Sequence, residues 1–408
     1  MPTIRQAHVR HAHAAPPVHE GTEQVVKIPR FLKAKSTKSF SPTAGTDGTF
    51  DEMGMRVKKL RIASGSGLFQ RNARTPALGK WEMKLEDFVE IRTLHQGSTS
   101  TIKLVRAHKK YPERPHWNED VLYVLKCVRK QAARRMDPAN RSAERAMLAS
   151  MSWSPFIANM VTAFASDEYL VHVLEAFPHG TLSTLLEGHY GGVGLAPELT
   201  AFYAANIALG IGFLHAHGIA HRALRPAHIL LGANGYLAIC DLSHARSVFA
   251  EERELEPKQG TMEYSAPEVR EWDDGTGTYA EDWWSFGMII YKMLAVISPF
   301  HAGGDERHIF WATNVPWGRQ LKDIVWSLLD VDPDRRLGAL DDREVFQHPW
   351  FANVDWNEME ACIYEAPYVP NEMTFWDPAR NATMPFRFDR VPLHAPEGRN
   401  EGGSRAIA

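Results

Sequence analysis

Cysteine is nearly absent. The 408-residue chain has three, Cys127, Cys240 and Cys362, too few and too scattered for a disulfide framework or a thiolate zinc site. A reducing compartment fits that usage, the cytoplasm first and the nucleus second. Long apolar runs are scarce as well. None is expected to reach the ~18–20 residues that cross a bilayer, and the most apolar stretch, Trp283 to Phe300, carries Lys292 near its middle. Net charge is small, -3, which excludes nothing by itself. What remains is an ordinary globular composition, 44% hydrophobic and 10% aromatic, which rules out a wholly disordered or collagen-like chain. At ~100–200 residues per domain, the length implies one large two-lobed domain with tails, or two to three domains.

The small net charge hides an asymmetry. Residues 1–80 hold 14 Lys+Arg against 5 Asp+Glu, a net of +9, and the other 328 residues hold 32 against 44, a net of -12. The basic stretch is rich in His, Pro, Ser, Thr, Gly and Ala and lacks a sustained apolar period, so it reads as a disordered arm. It could meet an acidic partner surface, act as a nuclear signal or a transit peptide, or be a solvated tail. Residues 391–408 read as a second loose tail.

Folded structure is expected from about Trp81. Phe88–Leu94, Thr101–Arg106, Val121–Val128 and Tyr169–Leu174 read as strands, with a single helix from Asp137-Pro138 to about Ser150 among them. The second half reads as helical. Pro197 opens a long helix in which Phe202, Ala205, Leu209 and Phe213 step by three or four, and Gly218 is placed to end it. A hairpin, Ile229–Leu231 and Tyr236–Ile239, turns at Asn234-Gly235. Helices follow around Asp282–Leu294. The fold class is α+β: a small β-rich lobe with one helix, joined to a larger helical lobe.

Candidate chemistry sits at four places. The turn Leu94–Ile102, with Gly97 in it, could bring backbone N–H groups to phosphates, or be a plain turn. Lys126 lies within an apolar strand, where an ammonium needs an anion unless it points to water at an edge. Glu144, eighteen residues on, is a candidate partner. His215, His217, His221 and His228 invite a metal reading, but Gly218 and Pro226 break any helix that would align them. Asp241, at a strand end, is suited to holding a divalent ion against phosphate oxygens.

In this order the pieces resemble the eukaryotic protein kinases, from about Trp81 to Phe375. Tyr123-Val-Leu-Lys126 resembles the strand of the nucleotide-binding lysine, and Glu144 falls where its helical partner should be. His221–His228 matches the catalytic loop, Asp241-Leu-Ser243 the metal-binding segment, Ala266-Pro-Glu268 the end of the activation segment, and Asp282-Trp-Trp the helix after it. Arg336 matches the arginine that pairs with Glu268. Gly260–Glu268 and His348–Trp356 are similar to the AGC group of Ser/Thr kinases, with Asp355-Trp-Asn and Ala366–Pro370 most like the Rho-kinase, citron and myotonic-dystrophy branch.

The resemblance implies a kinase-like domain over 81–351 (small lobe 81–175, large lobe 176–351) and an AGC-like C-terminal tail over 352–390. It implies an ATP pocket walled by Gly97, Ile102, Val124, Leu174, Leu230 and the tail residue Phe375. Lys126, Glu144 and Asp241 would hold the phosphates, with or without one magnesium ion at Asp241. Protein partners are implied, and neither nucleic acid nor a membrane span is.

The departures matter more. Ala223 stands where the carboxylate that accepts the substrate hydroxyl's proton belongs, and His228 where an asparagine would bind magnesium. Imidazole suits a hard, oxygen-seeking ion poorly. Arg225 replaces the lysine that contacts the transferred phosphoryl, His95 and Ser100 replace two loop glycines, and Ser243 replaces the glycine after Asp241. The residue AGC kinases phosphorylate is Pro257, so Arg222, which would hold that phosphate, is expected to meet Glu254 or Glu256 instead. Together these changes read as a catalytically impaired kinase, a scaffold or allosteric regulator that could still bind ATP; an active kinase of atypical mechanism is the alternative.

Overall fold

The computed structural model describes residues 83–107, 122–134, 138–177, 179–189, 194–248, 262–271, 278–300, 306, 308–370, 374–377 and 382–385. Trp81, Asp137, Glu254, Glu256 and Pro257 lie outside them. The first lobe is built on an antiparallel sheet of five strands: β1 (Phe88–Gln96), β2 (Ser100–Ala107), β3 (Leu122–Arg129), β4 (Met160–Ala165) and β5 (Tyr169–Glu175), in the order β1-β2-β3-β5-β4. Side chains alternate across a strand, so register decides which of them share a face. Ile102 pairs with Lys126 and Leu104 with Val124; Lys126 in turn pairs with His172 and Val124 with Leu174. These six residues line one face. Val105, Tyr123, Leu125, Cys127, Val171 and Val173 pack on the other as an apolar core with Phe88 and Met83. The sheet is thus apolar on its outer face and carries a lysine on its inner one.

One helix was expected in this lobe. The structure has two, a four-residue turn α1 (Lys130–Ala133) that continues β3, and α2 (Pro138–Ser150). The short turn follows β3 with no side-chain cap and no apolar period of its own, which is why periodicity does not reveal it.

The second lobe is helical. After a three-residue turn, α3 (Leu182–Thr184), comes α4 (Pro197–Ala216), with proline in its first turn. Gly218, at φ 72, takes the left-handed conformation just beyond its end. By length and composition α4 could cross a membrane, contrary to the expectation that no stretch could. It is buried nearly all round instead, with Phe202, Tyr203, Ile207 and Leu214 in the main core. A β-carbon on Gly210 would come within 3.0 Å of the Phe156 carbonyl and 2.8 Å of Ile239, so this helix packs closer to its neighbours than alanine allows.

Beyond α4 lie the short pair β6 (Ile219–Ala220) with β9 (Arg246–Ser247), and the hairpin β7 (Ile229–Leu231) with β8 (Leu237–Ile239). Asn234 Oδ1 accepts from the Tyr236 N–H at 3.2 Å and Gly235 turns the chain at φ 80. Then come α5 (Pro267–Glu271), α6 (Ala280–Ala295), α7 (Arg319–Leu328), α8 (Arg343–Phe346) and α9 (Trp356–Glu360). Helix α6 buries Trp283, Trp284, Phe286 and Ile290 completely, and full burial of one such apolar side chain contributes ~1.5–3 kcal/mol. Lys292, the charge in this apolar stretch, reaches Glu263 at 3.6 Å. Two strands, β10 (Thr374–Asp377) and β11 (Ala382–Pro385), form a separate ribbon. Phe375 falls on it, outside the residues whose side chains are described.

Candidate functional site

The cleft between sheet and helices is organised by Lys126. Its Nζ donates to Glu144 Oε1 at 2.6 Å and to Asp241 Oδ1 at 2.8 Å. These contacts tie β3 to α2 and to the segment after β8. Burial disfavours the ammonium, but the two carboxylates outweigh it, so Lys126 binds its proton more tightly than usual. Burial likewise opposes charge on Asp241, and Lys126 overcomes it, holding the carboxyl well below the usual range. Asp241 adopts φ 64, a conformation aspartate tolerates better than most residues, and its side chain remains one-third exposed. Sequence reading missed His172, whose ring lies beside Lys126 on β5 with Nδ1 3.8 Å from Glu144 Oε2. Its parity with Leu174 was the available signal. Burial lowers its pKa, so it is neutral at pH 7.

The apolar surroundings follow from register. Ile102, Val124 and Leu174 share the lysine's face, while Leu230, on β7, pairs with Ala238 and bridges to Thr181. In the β1–β2 turn, the Gly97 N–H donates to the Ser100 carbonyl at 2.9 Å and the Gly97 carbonyl accepts from Arg129 Nη2 at 2.7 Å. The His95 ring lies against Gly97: a β-carbon there would be 3.3 Å from His95 Nε2.

The loop from His221 to His228 is held from below by Asp282, fully buried in α6. Its Oδ2 accepts the His221 N–H and its Oδ1 the Arg222 N–H, each at 2.7 Å. Arg222 sits at φ 64, a conformation that costs a non-glycine residue roughly 1–3 kcal/mol; the two hydrogen bonds to Asp282 keep it there. His215 Nε2 also meets Asp282, at 3.0 Å, and its Nδ1 meets Asp342 at 2.8 Å. The four histidines do not form a metal site: His221 Nε2 bonds the Cys240 carbonyl and His217 Nδ1 the Phe213 carbonyl, and among the described residues no group of three or more His, Cys, Asp and Glu could hold an ion.

On top of this frame, Ala223 presents a methyl group. Its carbonyl accepts from His228 Nδ1 at 2.7 Å. Arg225 Nε donates to His228 Nε2 at 3.1 Å, and that nitrogen lies 3.5 Å from Asp241 Oδ2. Burial holds His228 down to about 4. The structure therefore gathers Lys126, Glu144, Asp241, Arg225 and His228 in one cleft.

Arg222 is buried, its Nε 3.6 Å from Glu281 Oε2. Glu281 is 1% exposed and precedes Asp282. The acid observed at Arg222 is thus one the sequence reading did not name, and Glu254 and Glu256 fall outside the described residues. Further out, Arg336 grips Glu268 with two bonds, at 2.6 and 2.9 Å, donates to the Ala280 and Asp330 carbonyls, and lies over Trp284.

A five-stranded antiparallel sheet whose buried lysine pairs with a helical glutamate, set over a helical lobe with a buried aspartate bracing a loop, defines a two-lobed α+β fold. A family model for the protein kinase domain matches residues 90–351, and the chain belongs to that family. Domains of this family bind ATP and magnesium. Similar proteins come from the AGC group of Ser/Thr kinases. They include mouse "Protein kinase C delta type", 29% identical over 77% of this chain and 45% of that protein. The Aspergillus fumigatus "Serine/threonine protein kinase ypkA" is 29% identical over 88% of this chain and 55% of that protein. Saccharomyces cerevisiae "cAMP-dependent protein kinase type 3" is 30% identical over 70% of each. The chain spans about half the length of the first two.

Proposed function

We propose that this protein is a pseudokinase: a kinase fold that keeps its nucleotide cleft, has lost ordinary phosphoryl transfer, and acts as a scaffold or allosteric regulator of a signalling protein such as an active kinase. The observation that carries the reading is Ala223. A methyl group neither orients nor deprotonates a hydroxyl, and general-base assistance is typically worth ~10²–10⁴-fold. Asp241 is a poor substitute, because its pairing with Lys126 holds the carboxyl well below the usual range and leaves it a weak proton acceptor. Asp282 is no substitute either, being sealed beneath the loop. His228 in place of an oxygen donor weakens magnesium binding further. The ordered Lys126, Glu144 and Asp241 support retained ATP binding. The net +9 of residues 1–80 supports a second contact, with an acidic partner surface, and cysteine usage supports a cytoplasmic setting.

A second reading, an active Ser/Thr kinase of atypical mechanism, is favoured by the intact Lys126–Glu144 pair at 2.6 Å. Transfer of radiolabelled phosphate by the purified protein separates the two. The pseudokinase reading expects no transfer above that of Lys126→Met, and a gain of at least ~100-fold on changing Ala223→Asp and His228→Asn together. Transfer by the natural chain that disappears in Lys126→Met would establish the enzyme.

A further inference from the structure

The ion pair at the centre of the cleft has a buried neighbour whose hydrogen bonding is incomplete. His172 stands opposite Lys126 in the β3–β5 register, so the two side chains leave the sheet on the same face. The His172 side chain is 8% exposed, and among the described residues its Nδ1 has no hydrogen-bond partner. Buried polar atoms are seldom left so. The carboxylate beside it is Glu144, whose Oε2 lies 3.8 Å from that nitrogen, too far for a hydrogen bond. Glu144 Oε1 is already taken by Lys126 at 2.6 Å.

A proton on this ring would be badly placed. The imidazolium would be more than nine-tenths buried, on the same sheet face as the Lys126 ammonium. From α2 the ring feels Glu144, which favours the proton, and Arg145, which opposes it; from β3 it feels Lys126, which opposes it. Burial is the largest influence and keeps the ring neutral at pH 7. On the other side of β5, β4 sets Ala163 against His172 and carries no titratable residue. Behind Lys126 stand Asp241 and the turn Leu242–His244, which packs on α2 and brings His244 near it. Cys240 also feels Glu144, but burial keeps its thiol protonated.

A conformation that binds a proton less tightly loses ground as pH falls. Movement of α2 off the sheet removes the penalty, because water reaches the ring and Glu144 is freed to meet it. Lys126 is not stranded by that movement, since Asp241 Oδ1 still holds it at 2.8 Å.

We propose that His172 is a proton-operated latch on the Lys126–Glu144 pair: neutral, it lets α2 seat against the sheet, and protonated, it releases α2 and opens the pair. The latch concerns the pair itself and is independent of whether the cleft binds nucleotide or transfers phosphate. His172 is a positioning residue, acting through Glu144.

The test is hydrogen exchange of the full-length protein without nucleotide, between pH 7.5 and 5.5, each rate taken relative to unstructured peptide at the same pH. One proton can change protection by at most about tenfold per pH unit. In the natural chain, protection of the α2 amides should fall at least fivefold across this range, while α6 changes by less than twofold. In His172→Gln and His172→Leu, α2 protection should stay within twofold. Glu175, pushed up to about 7, titrates in the same window, but it lies on the opposite face of β5 and is present in all three proteins. Protection of α2 that stays flat or rises with acid in the natural chain overturns the latch. So does a fall shared equally by α6, which is global unfolding, or a fall that persists in both variants. A constant offset between natural and variant proteins at every pH overturns it too, and makes His172 a packing residue. If neither variant folds, the contrast between α2 and α6 in the natural chain still decides between local release and none.

Discussion

The brace beneath the loop from His221 to His228 should make stability depend on pH in a defined window. His215, whose side chain is 1% exposed, sits between Asp282 at 3.0 Å and Asp342 at 2.8 Å. Burial opposes its charge, but the hydrogen bonds and charges of the two carboxylates outweigh burial and push its pKa up to about 9. In the unfolded chain an ordinary histidine titrates near ~6.5, and each tenfold difference in proton affinity is worth ~1.4 kcal/mol. The folded pKa lies above the unfolded one. The stabilisation is therefore fully present below ~6.5 and is lost as pH rises through about 9, amounting to ~3 kcal/mol in order of magnitude. The assay is urea unfolding followed by tryptophan fluorescence between pH 6 and 9.5, for the natural chain and for His215→Gln. Other groups titrate in this range, Glu175 among them, pushed by burial up to about 7. The difference between the two proteins cancels their contributions. That difference should be largest at pH 6 and shrink by ~3 kcal/mol by pH 9.5. A difference that stays constant across the window would refute a charged His215 as the brace.

Three more outcomes are expected. Arg336→Met should lower stability by ~3–5 kcal/mol, because it strands the buried Glu268 carboxylate; with Glu268→Gln added, urea unfolding should show a loss well below the sum of the two single losses, and simple additivity would dissolve the pair. Glu281→Gln should cost ~3 kcal/mol by leaving the buried Arg222 charge without its acid, visible as a lower melting temperature; an unchanged melt would mean that Arg222 relies on other partners. Gly235→Ala should cost more than ~1 kcal/mol, since φ is 80 and the new β-carbon would stand 2.4 Å from the Tyr368 carbonyl. Limited proteolysis should then cut the segment around Ala366–Tyr368 sooner, and equal resistance would argue against the contact.

Local patterns in the sequence carried four of the five sheet strands, missing Met160–Ala165, together with the long helix from Pro197 and the hairpin at Asn234-Gly235, because backbone preference and burial repeat at fixed short spacings. Order along the chain carried the family and the departures at Ala223, Arg225 and His228. Periodicity missed the turn at Lys130–Ala133, and scanning for unbroken apolar runs missed that Pro197–Ala216 has the length and composition of a membrane span. Asn206 and His215 interrupt that run. In the fold Asn206 bonds the Leu237 N–H and His215 the two aspartates, so both are at home in a core.

The amino-acid order alone therefore determined most of the elements and which side chains the cleft lacks. Only the tertiary structure decided what stands in for them: His172 beside Lys126, Glu281 at Arg222, and Arg225 turned onto His228. A hydrogen bond or ion pair depends on distance and direction in space, and apart from Arg225 with His228 the partners here come from strands and helices far apart in the chain. No local spacing encodes those meetings until the lobes have packed.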